Sequence, residues 1–214
     1  GGVWRQEDDV PVAHRDEDAL ACAGRRERER GADRRLADSA LAGDEDEIEV
    51  EQAKRRGARI VAVNPLPEAG LIRFKNPQRV DGLLGRGTPL ADLFLQIRLA
   101  GDLALFQSVN RLLVESGDID HAFIRTYTGG FVEVAATWSE LDWADVREAI
   151  GLTRAEIDTF AAEVRRARSV IVCWAMGLTQ HRQAVPTIRE IVNFLLLRGS
   201  IGRPGAGACP VRGH

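Results

Sequence analysis

Short apolar runs alternate with amphipathic stretches along most of the chain. Residues 58–63 and 169–174 are nearly continuous apolar runs with β-branched side chains, which is typical of buried parallel strands. Residues 93–99 form a third strand candidate, although a helix beginning at Thr88 and Pro89 fits the same stretch. The pattern therefore predicts at least two parallel strands separated by other elements.

Apolar residues at helical spacing predict amphipathic helices around these strands. The clearest helix begins at Thr153, which forms a capping box with Glu156, and runs to Arg168. We expect Asp102 to be the N-cap of another helix. The predicted helices besides the first span residues 102–116, 119–127, 143–150 and 186–198. This alternation of helices and strands predicts an α/β fold, with a parallel Rossmann-like sheet flanked by helices.

The first fifty residues do not follow this pattern. They carry a net charge of −7 and contain no Phe, Tyr, Met or Lys, whereas the rest of the chain carries +4. Such a segment cannot bury enough apolar surface to offset the entropy of ordering it. We therefore divide the chain into a charged, disordered or poorly structured N-terminal arm, residues 1–50, and a folded region, residues 51–214. An acidic interaction tail and an out-of-frame reading of GC-rich DNA are further hypotheses for the arm.

Composition excludes several classes of protein. A total net charge of −3 without a concentrated basic face argues against a dedicated nucleic-acid binder. No apolar run approaches the roughly 18 residues of a membrane span, and no signal-peptide pattern opens the chain. We therefore expect a cytoplasmic protein with no membrane and no nucleic-acid partner. Cys22, Cys173 and Cys209 are too widely spaced for a disulfide framework or a cysteine-only metal site, and Cys173 is expected to be buried in its strand.

Unusual polar residues follow two of the predicted strands. Ligands of parallel α/β sheets collect where the carboxyl ends of strands meet loops and helix N-termini. Asn64 follows the first strand, and residues 176–181 follow the last. The amides of Asn64 and Gln180 can both donate and accept, which suits the edges of a heterocycle. A turn whose Met176 packs in the core is the competing interpretation of the second segment.

Residues 199–207 are rich in glycine but lack both standard phosphate motifs. The segment follows a helix rather than a strand and has no Gly-Lys-Ser/Thr. A loop of tight turns and a backbone lying close to a large ligand both remain open. Arg212, just beyond the glycines, suits a carboxylate or phosphate held by two parallel hydrogen bonds, although most arginines make surface salt bridges. No Ser-His-Asp spacing or His-Glu-x-x-His pattern supports a hydrolase.

Three ordered motifs together match a known family. They are AKRRGARIVAVNP at residues 53–65, MGLTQ at residues 176–180 and GSIGRPGAGACPVRGH at residues 199–214. From about Glu51 to the end, the chain resembles the molybdopterin-dependent oxidoreductases, specifically the large (alpha) subunit of formate dehydrogenase-like enzymes. Residues 1–50 lie outside the resemblance.

The resemblance implies a molybdenum centre held by two molybdopterin guanine dinucleotides, and the two-electron oxidation of formate or a similar small substrate. It assigns the orientation of the substrate carboxylate, near the metal, to Arg212. Many relatives have Asp at the position of Asn64, so the substitution keeps hydrogen bonding and removes a charge. The cofactor-binding positions of the family correspond to Asn64, Met176, Gly177, Gln180 and His214.

The same resemblance places further parts of the centre outside these 214 residues. The family's [4Fe–4S] cysteine cluster and its molybdenum ligand lie upstream of the matching region, and the second half of the cofactor cage lies downstream. We therefore expect no metal ligand and no redox activity in this fragment alone, and electron-transfer subunits as partners of the complete protein. The alternatives are a non-catalytic α/β cofactor-binding fragment and a nicotinamide-dependent dehydrogenase, which the missing fingerprint disfavours.

Overall fold

The computed structural model describes residues 14–15, 53–54, 56–67 and 89–210. The described residues belong to two compact units, a larger one with residues 14–15 and 98–210 and a smaller one with the described residues from 53 to 97. Two of the predicted site residues, Arg212 and His214, and nearly all of the charged arm lie outside the described residues.

The strands are β1 (His14–Arg15), β2 (Val61–Val63), β3 (Leu93–Leu95), β4 (Thr128–Gly129), β5 (Ile171–Trp174) and β6 (Gly207–Pro210). The helices are α1 (Asp102–Ser116), α2 (His121–Tyr127), α3 (Phe131–Ser139), α4 (Trp143–Ile150), α5 (Arg154–Arg166), α6 (Met176–Thr179) and α7 (Ala184–Leu197).

The smaller unit is built on the parallel pair β2–β3, in which Val61 lies opposite Leu93. A lysine holds the segment that precedes β3. The Lys54 ammonium donates to the carbonyls of Pro89 and Leu90 at 2.6 and 2.7 Å, and it lies 3.3 Å from the Asp92 carboxylate. These contacts hold the residues directly before β3 in place, because they connect them to the side chain of a lysine more than thirty residues earlier in the chain.

The larger unit has its core between α1 and α7. Both helices bury a wide apolar face, as their helical spacing of apolar residues requires. The rings of Phe106 and Phe194 meet edge-on across this interface, with centroids 5.6 Å apart. Helices α3, α4 and α5 also pack against α1. The most deeply buried apolar residues of α1 and α7 are Leu105, Val109, Leu113, Ile191, Phe194 and Leu195.

The larger unit also contains two short strand pairs. Strands β5 and β6 are parallel, with Ile171 opposite Gly207 and Trp174 opposite Pro210. Strands β1 and β4 are antiparallel. His14 and Arg15, which form β1, are the residues of the charged arm that the structure describes. Parallel strand pairs flanked by helices confirm the predicted α/β class.

The start of α1 differs from the prediction. Gly101, not Asp102, is the N-cap, and Asp102 is the first helical residue. A Cβ on Gly101 would lie 3.0 Å from the Arg98 carbonyl oxygen and 3.1 Å from that of Ala149. The end of α4 therefore approaches the backbone too closely for a capping side chain, and glycine takes the position.

The capping box at the start of α5 is confirmed. The Thr153 hydroxyl accepts from the Glu156 N–H at 3.3 Å, and the Glu156 carboxylate accepts from the Thr153 N–H at 2.8 Å. Hydrogen bonds from the side chain and backbone of Thr153 hold the pKa of Glu156 below its ordinary value. The helix ends at Arg166, two residues earlier than predicted.

Thr153→Ala is expected to lower the free energy of unfolding by about 1 kcal/mol, because the substitution removes one side of the capping box. Urea unfolding of the 214-residue chain measures this change. Thr159→Ala on the same helix is the matched control, since its exposed hydroxyl donates to the Ala155 carbonyl one turn earlier and takes no part in the cap. The control should change stability by less than about 0.5 kcal/mol, and equal losses would contradict the role of the cap.

Candidate functional site

A single helical turn follows β5 at its carboxyl end. The turn is α6, and the Gln180 N–H closes it by donating to the Met176 carbonyl at 3.0 Å. The Gln180 amide nitrogen also lies 3.5 Å from the Met176 sulfur. Met176 is 42% exposed, so the alternative in which it packs in the core is wrong. The structure therefore brings three predicted residues, Met176, Gly177 and Gln180, into one exposed turn.

Nothing in the described part of the structure requires a glycine at position 177. A Cβ added there meets nothing within 4 Å, and Gly177 is not among the glycines with positive φ. Neither backbone strain nor packing accounts for the missing side chain. Close approach of a ligand to the backbone is a physical reason that remains.

Two half-buried polar residues beside this turn were not among the predicted site residues. The Nε2 atom of His181 is buried and has no hydrogen-bond partner in the described part of the chain. Burial raises the pKa of Asp102, which its own backbone hydrogen bond and the charge of His181 partly offset. The signal for His181 was its place directly after MGLTQ. Asp102 was interpreted as an N-cap, so its electrostatic interaction with a histidine nearly eighty residues away was not predicted.

Asn64 lies at the carboxyl end of β2, in the smaller unit. Its N–H continues the strand pairing by donating to the Leu95 carbonyl at 3.1 Å. Its side-chain oxygen accepts from the Leu66 N–H at 3.2 Å and so forms an Asx turn. An aspartate would supply the same oxygen, which explains how Asn can stand at this position without disturbing the turn.

The glycine-rich loop and the α6 turn lie at opposite ends of the strand pair β5–β6. The two strands are parallel and the loop precedes β6, so it lies at their amino ends. Its glycines at 199, 202, 205 and 207 have φ values of 55°, 78°, 70° and 143°. These left-handed conformations support the interpretation as tight turns. Strand β6 ends at Pro210, at the same carboxyl end of the strand pair as α6.

The cysteine prediction needs a correction. Cys173 is exposed rather than buried, because the two-stranded pair β5–β6 leaves part of its surface uncovered, whereas Cys209 opposite it is buried. Although part of the residue is exposed, the strand pair desolvates its sulfur, and this desolvation and the neighbouring Cys209 thiol raise the pKa of Cys173 to about 12. The Cys173 thiol is therefore not marked as a reactive thiolate. Among the described residues, no group of three His, Cys, Asp or Glu side chains is placed to hold a metal ion.

The sequence is similar to parts of longer proteins named as oxidoreductases. It is 50% identical over 169 residues to an uncharacterized oxidoreductase of Mycobacterium tuberculosis, covering 76% of this chain and 22% of that protein. It is 38% identical over 124 residues to a Staphylococcus aureus protein provisionally named a formate dehydrogenase, covering 58% of this chain and 13% of the relative. The chain thus spans about a fifth of the first relative's length. No protein-family model matches it.

The fold resembles that of a solved enzyme. Acetylene hydratase from Pelobacter acetylenicus matches 74% of this chain with a TM-score of 0.62 and 20% sequence identity, covering 19% of the hydratase chain. This likeness agrees with the α/β architecture, and the sequence relatives confirm a relationship to oxidoreductases. Across the part of the chain that the structure describes, no helix combines the length and apolarity that a membrane crossing needs.

Proposed function

We propose that this chain forms part of the cofactor site of a molybdopterin guanine dinucleotide-dependent oxidoreductase that acts on formate or a similar small substrate. The observation that carries the proposal is the exposed α6 turn at the carboxyl end of β5, beside the buried Nε2 atom of His181, which has no hydrogen-bond partner among the described residues. A buried polar atom without a partner is costly, and a bound group with a complementary atom would remove that cost.

The residues of the turn suit a large heterocycle. The Gln180 amide offers both a donor and an acceptor to a ring edge, the Met176 thioether offers an adaptable apolar contact, and Gly177 leaves the backbone open. When bound, the molybdenum cofactor supplies the two-electron chemistry. Asn64 and His214 are proposed to be further cofactor-binding residues, and Arg212 to orient a substrate carboxylate through two parallel hydrogen bonds.

The complete protein is proposed to contain what this chain lacks. A [4Fe–4S] cluster, the molybdenum ligand and the second half of the cofactor cage belong to the remaining length of such a protein, and electron-transfer subunits accept the electrons. The relatives, of which this chain covers about a fifth, support this division. On this proposal the 214 residues bind the cofactor and position the substrate, and they do not catalyse redox chemistry alone.

The test is Gln180→Ala in the complete polypeptide that the gene encodes, produced in a host that makes the molybdenum cofactor. We expect the molybdenum and pterin content per protein to fall by about 5- to 30-fold, because one paired amide contributes on the order of 1–2 kcal/mol to binding. Metal analysis by mass spectrometry and fluorescence of the oxidised pterin measure the two contents. Thr159→Ala is the control, since that hydroxyl lies on α5, outside the turn.

Three outcomes separate the alternatives. Cofactor present in the wild type and reduced in Gln180→Ala supports the proposal. Absence of molybdenum and pterin from the wild type overturns it and favours a truncated relative that no longer holds cofactor. Cofactor without formate-dependent dye reduction overturns the formate assignment and favours a different small substrate or a non-catalytic binding role.

A further inference from the structure

A glutamate lies in the middle of the apolar core of the larger unit. The Glu190 side chain on α7 is fully buried, with 0% of the residue exposed. Its Oε2 accepts from the Asn110 amide of α1 at 2.8 Å and from the Trp138 indole of α3 at 3.0 Å. One carboxyl oxygen thus joins three helices.

The groups around this carboxyl are neutral. Besides Asn110 and Trp138, the amides of Gln107 on α1 and Asn193 on α7 contact it, and no charged side chain contributes to its electrostatics. The nearest cation along α1, Arg111, is turned to Glu115 at 2.6 Å. A buried carboxylate normally has a cationic partner, and within the described residues this one has none.

Three buried oxygens of the cluster, Glu190 Oε1, Asn110 Oδ1 and Gln107 Oε1, have no well-aligned donor in the described part of the chain, and the Asn193 amide is a further donor beside them. An ionised Glu190 can accept a further hydrogen bond from the Asn193 or Gln107 amide, which still leaves the oxygens of Asn110 and Gln107 without a donor. Protonation supplies a hydroxyl that can donate to one of them, for example after the Asn110 amide rotates so that its oxygen faces Glu190.

We propose that Glu190 is a proton-dependent link between α1, α3 and α7, which holds the three helices most tightly when its carboxyl is protonated. The inference rests on the full burial, the neutral cage and the buried oxygens that have no well-aligned donor, and is independent of any bound cofactor.

The direction of the pH dependence follows from linkage. Burial raises the pKa of Glu190 from 4.5 to about 7. Between these values the folded chain binds one more proton than the unfolded chain, so stability is highest below pH 4.5 and falls as the pH rises through 7. A difference of two to three pKa units corresponds to a change of roughly 100- to 1000-fold in the folding equilibrium.

The test compares the 214-residue chain with Glu190→Gln by urea unfolding between about pH 5 and about pH 8. Glutamine keeps the shape and cannot ionise, so the variant should gain on the order of 100-fold in its folding equilibrium relative to the wild type across this range. Glu133→Gln on α3 is the control, because Glu133 is exposed, and it should keep the wild-type profile. Parallel profiles for the wild type and Glu190→Gln would overturn the proposal.

A measurement on the unmodified chain covers the case in which Glu190→Gln does not fold. With carbon-13-labelled glutamate, one carboxyl resonance should titrate about two units or more above the ordinary glutamate value. Titration of every glutamate within about one unit of that value would show that Glu190 ionises like a solvated carboxyl and would overturn the proposal.

Discussion

Phe194→Ala is expected to lower the free energy of unfolding of the chain by about 3–5 kcal/mol. Phe194 is 1% exposed and lies on the face of α7 that packs against α1. Its ring also meets Phe106 edge-on, with centroids 5.6 Å apart. Truncation loses the transfer free energy of the ring and leaves a cavity that the surrounding helices can only partly fill, and urea unfolding at fixed pH measures the sum.

The matched control lies on the same helix. Val185→Ala removes apolar atoms from a residue that is 60% exposed, so stability should change by less than about 0.5 kcal/mol. A loss at Phe194 no larger than that of the control would mean that α7 does not pack on α1 as the structure shows. The slope of unfolding against urea should stay constant in both variants, because neither changes the extent of the folded structure.

Elements with strong local signals were predicted well from the sequence. Helix α4 has the predicted bounds, residues 143–150, since Asp142 caps its start by accepting from the Ala144 N–H at 2.6 Å. Helix α1 ends as predicted because Gly117 takes a left-handed φ of 72°. Caps and terminating glycines act over one helical turn, so a short window of sequence contains the information that they need.

Elements that depend on distant packing were missed. Helix α3 has β-branched residues and follows two glycines, so its sequence does not favour a helix strongly. It is helical because Val134 and Trp138, one turn apart, are buried together in a cluster with Leu197 of α7. The exposure of Cys173 and the burial of Glu190 also depend on which elements lie opposite, and a single sequence does not reveal these neighbours.

The candidate site divides in the same way. The segment that forms α6 was selected as a candidate site because it directly follows an apolar strand, and ligands of parallel sheets gather at that end. His181 and Asp102 were missed because their interaction joins residues far apart in the chain. The roles of Asn64, Gln180 and Arg212 stay predictions.

Gly199→Ala should destabilise the chain by about 2–3 kcal/mol, although it adds only one methyl group. Gly199 has a φ of 55°, which is strained for any residue with a Cβ. That Cβ would lie 2.6 Å from an Asp120 carboxylate oxygen. Asp120 caps α2 by accepting from the Phe123 N–H at 2.9 Å, so its displacement would weaken a second helix.

Gly117→Ala separates the two contributions to the loss at Gly199. Gly117 also terminates a helix with a left-handed φ, but a Cβ there meets nothing within 4 Å. Gly117→Ala should therefore cost only the backbone strain, about 1 kcal/mol, and the difference between the two variants measures the disturbance of the Asp120 cap. Asp120→Ala in the Gly199→Ala background should then cost less than in the wild type, because the cap is already displaced. Equal losses for Gly199→Ala and Gly117→Ala would show that Asp120 moves aside without weakening α2.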